Sequence, residues 1–159
     1  MTSTVVSTSS TLIGTHNIPD GHIFELGTTT IEYTMLVDIN GDSDYGDPNE
    51  TQTCSFDVIV EDRQLPDAIC IDVDIQLNDA GAGTVYAAEI ADEIYVDGGS
   101  NDNCTSPLTL LLSQDNMTYY PSLDFDCQDI GQNVVNLQVR DGSGNLSYCK
   151  AVINVIDFF

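Results

Sequence analysis

Positive charge is almost missing from this chain of 159 residues. Arg63, Arg140 and Lys150 stand against 26 aspartates and glutamates, a formal charge of −23. Such a surface repels phosphate backbones and anionic lipid headgroups, so no nucleic-acid partner and no membrane insertion are expected. Histidine is nearly as scarce, with His16 and His22 alone, and neither an HExxH run nor a nucleophile elbow occurs. There is no tryptophan, and paired carboxylates are too common here to single out a glycosidase pair, so no enzyme is expected. No window is long and apolar enough to span a bilayer. The opening MTSTVVSTSSTLIG lacks a basic and an apolar region, so no signal peptide is expected and an exported form would be a mature product or a fragment. The five cysteines contain no CxxC pair and are scattered through strand-like segments, which favours disulfides in an oxidising compartment over zinc.

What the chain does have is alternation. With 42% apolar residues it can fill ordinary cores, in one large or two small domains. The clearest stretch is 131–157, where Val135, Leu137 and Val139 alternate with Asn136, Gln138 and Arg140. The run DGSGN at 141–145 then turns the chain, and Cys149, Ala151, Ile153 and Val155 share one side of the return strand. Placing Leu137 opposite Cys149 brings both apolar sets to the same face.

An imperfect copy lies about a hundred residues earlier. Ile31, Tyr33, Met35 and Val37 form its first apolar set, and Cys54, Phe56, Val58 and Val60 its second. The spacing from Cys54 to Asp62 equals that from Cys149 to Asp157. The copies differ in their turns, because sixteen positions separate Asp38 from Cys54 where eight separate Asp141 from Cys149. Residues 63–68 read as a linker, since Pro66 interrupts any ladder. Beyond it, residues 69–157 show about seven short apolar runs at the cadence of a β-sandwich, with Met117 to Tyr120 among the strands and under a tenth of the chain helical.

Several stretches carry a family resemblance. LGTTTIEYT at 26–34 with CSFDVIV at 54–60, then ICIDVDIQL at 69–77, SNDNC at 100–104, CQDIG at 127–131 and DGSGN at 141–145 resemble hyalin repeat (HYR)-like modules. Modules of this kind are tiled along large surface adhesins of gliding and marine Bacteroidetes. The resemblance covers roughly residues 24–157, and the enlarged first turn departs from the family pattern. It implies an all-β fold of tandem immunoglobulin-like β-sandwich modules. These would be an incomplete one at 1–62, holding the C-terminal half of a module, a linker at 63–68 and a complete one at 69–159. It also implies a segment of a repeat array on a cell surface, with neighbouring modules or subunits of the same protein as partners. In such a sandwich the first and last strands lie side by side, which implies a pairing of Cys70 with Cys149, and Cys104 and Cys127, each ending a loop that leads into interior strands, are expected to pair with each other. Cys54 then stands where Cys149 stands in the second module, its partner's counterpart is missing, and it is expected to be free or bonded to another chain.

The sharpest local signal is the acidic insertion DINGDSDYGDPNE at 38–50. Asp38, Asn40, Asp42 and Asp44 place side-chain oxygens at alternate positions, followed by Asp47 and Glu50, a pattern like that with which calcium loops wrap an ion. The glycine and the last acid do not fall where an EF-hand needs them, and five acids this close repel one another unless neutralised. Calcium is the expected cofactor at this loop. A second, weaker set is Asp97, Asn101 and Asp102 with Asp141 or Asn145, for which turn chemistry is the competing account. Two further functions compete with the adhesive array segment. One is a fibre subunit completed by strands of its neighbour, and the other is a carbohydrate-binding module using Tyr119 and Tyr120 as an aromatic platform for surface glycans.

Overall fold

The computed structural model describes residues 2–7, 22–36, 41, 48, 51–89, 91–104 and 107–158. Among these there are nine strands and no helix. The chain divides into two compact units, Met1–Asp62 and Arg63–Phe159.

In the first unit β1 (Thr2–Ser7), β2 (Gly27–Leu36) and β3 (Thr51–Val60) form an antiparallel sheet in the order β1-β2-β3. β2 and β3 pair along their full length with Ile31 opposite Phe56 and Tyr33 opposite Cys54. Ile31 and Thr29 are buried, whereas Phe56 and Ile59 are largely exposed. Thr30 donates its hydroxyl to Asp57 across the pair, at 2.7 Å.

The second unit contains β4 (Val73–Gln76), β5 (Ala82–Tyr86), β6 (Thr109–Ser113), β7 (Ser122–Asp126), β8 (Gly131–Arg140) and β9 (Leu146–Ile156). One sheet has the order β4-β9-β8-β6, and β5 pairs with β7 in a second. Leu137 lies opposite Cys149, the register that the alternating pattern requires. β4 runs parallel to β9, so the first strand of the unit is joined to its last. That joint is tightened by side chains, as the Val152 N–H donates to Asp72 Oδ1 at 2.7 Å and Asn154 Nδ2 to Asp74 Oδ1 at 2.9 Å.

The two sheets share one core, as in a β-sandwich. Ile75, Leu112, Leu137, Val139, Ile153 and Val155 from the larger sheet meet Val85 and Phe125 from the smaller. Gly83 makes this closeness possible: a Cβ there would lie 2.6 Å from Ile75 Cδ1, and Phe125 is its partner across the β5–β7 ladder. A side chain at position 83 would require the Ile75 side chain to shift.

Residues 63–68 belong to this second unit and do not behave as a free tether. Pro66 is buried and Ala68 packs against the core. The Asp67 N–H donates to the Asn101 carbonyl at 2.8 Å, and the Asn101 N–H donates back to Asp67 at 3.1 Å. Met117 to Tyr120, expected as a strand, is instead a turn followed by a single bridge from Tyr120 to Leu112.

Candidate functional site

One pair of cysteines holds the ends of the second unit together. Cys70 precedes β4 and Cys149 lies on β9, and the two form a disulfide with Cα atoms 5.9 Å apart across 79 positions of sequence. Cys149 sits on the inner side of β9, so the bridge packs against the apolar core. The second expected bridge is not formed, and Cys104 and Cys127 both remain thiols. Each belongs to a different corner of the fold. Cys127 follows β7 with its Sγ 3.8 Å from the Gly81 carbonyl, while Cys104 follows the strap that pairs Asn101 with Asp67 and donates its N–H to Asp102 Oδ1 at 2.9 Å. Cys54 is a free, exposed thiol on β3.

The expected calcium ligands Asp38, Asn40, Asp42, Asp44, Asp47 and Glu50 lie outside the described residues. Of the second set, Asp102 and Asp141 do converge, with carboxylate oxygens within 4.8 Å of one another. Asp97 is used locally, accepting the Ser100 N–H at 2.9 Å. Asn101 pairs with Asp67 through its backbone.

Asp141 is buried at the start of the β8–β9 turn. Its Oδ1 accepts the Asn145 N–H at 2.8 Å and its Oδ2 accepts Asn145 Nδ2 at 2.7 Å. Burial pushes this carboxyl up, but the bonds from the Asn145 side chain and from the Asn145, Gly144 and Ser143 N–H groups outweigh it and hold it below its ordinary range. Gly144 takes the positive φ of 95° that the turn needs. Asp141 is thus first a turn-closing group. The Asp102 and Asp141 pair alone falls short of the roughly six to eight oxygens that calcium gathers.

A second carboxylate shapes the loop after β6. Asp115 accepts the Met117 N–H at 2.8 Å, the Thr118 N–H at 2.9 Å, the Thr118 hydroxyl at 2.7 Å and the Ser113 hydroxyl at 2.9 Å. The Thr118 bonds, and then those from Met117 and Ser113, hold it far below the usual carboxylate range. A depressed folded-state value means that the ionised carboxylate stabilises the fold, fully above about pH 5 and progressively less as pH falls through 4 and below. Asp115→Ala is therefore expected to lower the thermal midpoint at pH 7, and the gap from the parent protein should close as the medium is taken toward pH 2. A gap that stays constant with pH would mean that the carboxylate charge is not involved.

This loop also decides where the aromatic platform lies. Tyr119 does not stack with its neighbour Tyr120 but meets Tyr148 of β9, with ring centroids 6.3 Å apart and planes inclined by 52°. Gln138 of β8 donates its Nε2 to the Tyr148 hydroxyl at 3.2 Å. Desolvation raises the Tyr119 phenol, and the Tyr148 hydroxyl and the Asp115 carboxylate add to the shift. Tyr148 was open to discovery from sequence, since alternation along β9 puts it on the side opposite Cys149; its meeting with Tyr119 depends on the loop geometry set by Asp115.

The larger sheet also carries a hollow of about 330 Å³ lined by Asp72, Val73, Asp74, Gln132, Val152 and Asn154. Its acids are already engaged with β9, as Asp72 and Asp74 form the two bonds that seal β4 to it. No family model matches this chain, and no curated protein matches it.

Proposed function

We propose that the chain is a structural and adhesive segment of an extracellular, disulfide-bonded surface protein built from HYR-like, immunoglobulin-like modules. The observation that carries this reading is the lock between Cys70 and Cys149, which ties the two ends of an all-β unit to each other. A sandwich whose first and last strands run side by side resists pulling, because force applied at its ends must break the ladder and the bridge together. The bridge also suits a non-reducing compartment. Calcium at the 38–50 loop belongs to the same reading, on the ground that its crowded acids need a counter-charge. No catalytic role is proposed.

Adhesion is tested with beads bearing the oxidised chain, held under shear on glycan-coated and protein-coated surfaces. Retention above that of uncoated beads is expected, and none on any surface would remove the adhesive part. The same protein should sediment as a monomer; end-to-end polymers would favour the fibre subunit. For the ion, moving from chelator to millimolar calcium is expected to raise the thermal midpoint, because a ligand bound only by the folded state stabilises it by mass action. An unmoved midpoint would mean that calcium is not structural.

A further inference from the structure

The outer face of the β6-β8-β9 region is a patterned surface of the second unit that neither the core nor the disulfide uses. Its residues fall into rows by register: Leu111, Gln138 and Tyr148 form one, with Thr109, Arg140 and Leu146 on one side and Ser113, Asn136 and Lys150 on the other. Ser113 and Asn136 are buried, while Tyr148 is 53% exposed and Arg140 and Lys150 are exposed. Tyr119 leans in from the loop to extend the aromatic row.

We infer that this face is a binding site for an uncharged glycan, with Tyr119 and Tyr148 as the stacking surface and Gln138, Arg140, Lys150 and Asp115 as polar contacts around it. Charge narrows the class of ligand. Two of the chain's three cationic residues stand on this face, against a total of −23. A polyanion is repelled by the molecule as a whole, whatever these two side chains offer. A basic protein is drawn to the acidic surfaces elsewhere and not to the place where the cations are. An uncharged, hydroxyl-rich chain meets neither barrier.

The face supplies what such a ligand needs. The tyrosine rings offer a broad apolar surface at small conformational cost, since each has few rotatable bonds. Gln138 fixes the Tyr148 ring through its hydroxyl. Lys150 lies two residues from Tyr148 on the same side of β9, roughly 7 Å along the strand, within reach of hydroxyls on a sugar stacked there. Asp115 adds an ionised acceptor at the Tyr119 end. Donors and acceptors of both kinds thus flank the rings.

This inference rests on the adhesive reading and names its ligand class. Tyr119 and Tyr148 are two of the chain's seven tyrosines and there is no tryptophan, so a change in tyrosine emission is assigned to the platform by comparison with the Tyr148 variants. Titrating the full oxidised chain with cellohexaose, maltohexaose and mannohexaose is expected to change that emission saturably for at least one of them. Tyr148→Ala should weaken the interaction about tenfold or more, Tyr148→Phe should retain most of it, and Tyr120→Ala should leave it unchanged. Tyr119→Ala serves as the second probe should Tyr148→Ala fail to fold. No response to any neutral hexasaccharide, or full binding by both alanine variants, overturns the assignment. So does a Tyr148-dependent response to polygalacturonate alone, or a Tyr148-dependent self-association seen by sedimentation. Beads that hold to a surface equally well with and without Tyr148 would leave the adhesive reading standing while this site falls.

Discussion

The double variant Cys70→Ala, Cys149→Ala is expected to lose about 4 kcal/mol of stability in the second unit, and its thermal midpoint should fall by about 20 °C. The bridge closes 79 positions of sequence, and closing a loop of that length removes roughly 4.5 kcal/mol of chain entropy from the unfolded ensemble. Against a net stability of about 5–15 kcal/mol for an ordinary domain this is a large fraction. Removing both sulfurs keeps an unpaired thiol out of the experiment, although the small hollow left beside the core adds to the cost. Reductant should bring the parent protein down to the level of the variant and leave the variant itself unmoved. A variant that melts with the parent would show that the bridge is not formed in solution, and with it the mechanical part of the proposed function would fall. Peptide mapping without reductant should find Cys70 linked to Cys149 and no link between Cys104 and Cys127.

The legible parts of this fold were those governed by local periodicity. The register of Leu137 against Cys149 follows from alternation and a glycine-rich turn, and both strands are long enough to state it without ambiguity. The register of Tyr33 against Cys54 was not read from the sequence, because the enlarged turn between Asp38 and Cys54 leaves it open. The pairing of Cys70 with Cys149 was implied by a resemblance, since seventy-nine positions of sequence say nothing about which strand ends meet. Three features were hidden because contacts distant in sequence decide them. β7 (Ser122–Asp126) was missed, its two apolar residues Leu123 and Phe125 being too few to announce a strand. The run from Met117 to Tyr120 looks β-prone, yet Asp115 captures its N–H groups and makes a turn of it. Cys104 and Cys127 each close a loop, but one loop is strapped to Asp67 and the other abuts Gly81, which a pattern of cysteines cannot reveal.

Phe125→Ala is expected to cost about 4 kcal/mol and to lower the midpoint of the second unit by about 20 °C, whereas Phe56→Ala should cost less than about 1 kcal/mol. Hydrophobicity alone ranks the two phenylalanines together. Burial separates them: Phe125 is 2% exposed and Phe56 is 48% exposed. Phe125 stands opposite Gly83 across the ladder, and Ile75 reaches over that glycine from the opposite sheet. Removing the ring therefore opens a hollow in the core shared by the two sheets, and neither backbone can move in to fill it without breaking its ladder. Equal losses at the two positions would mean that Phe56 is covered in solution by something that shields it from water, and the sheet of the first unit would then have to be counted as an interface.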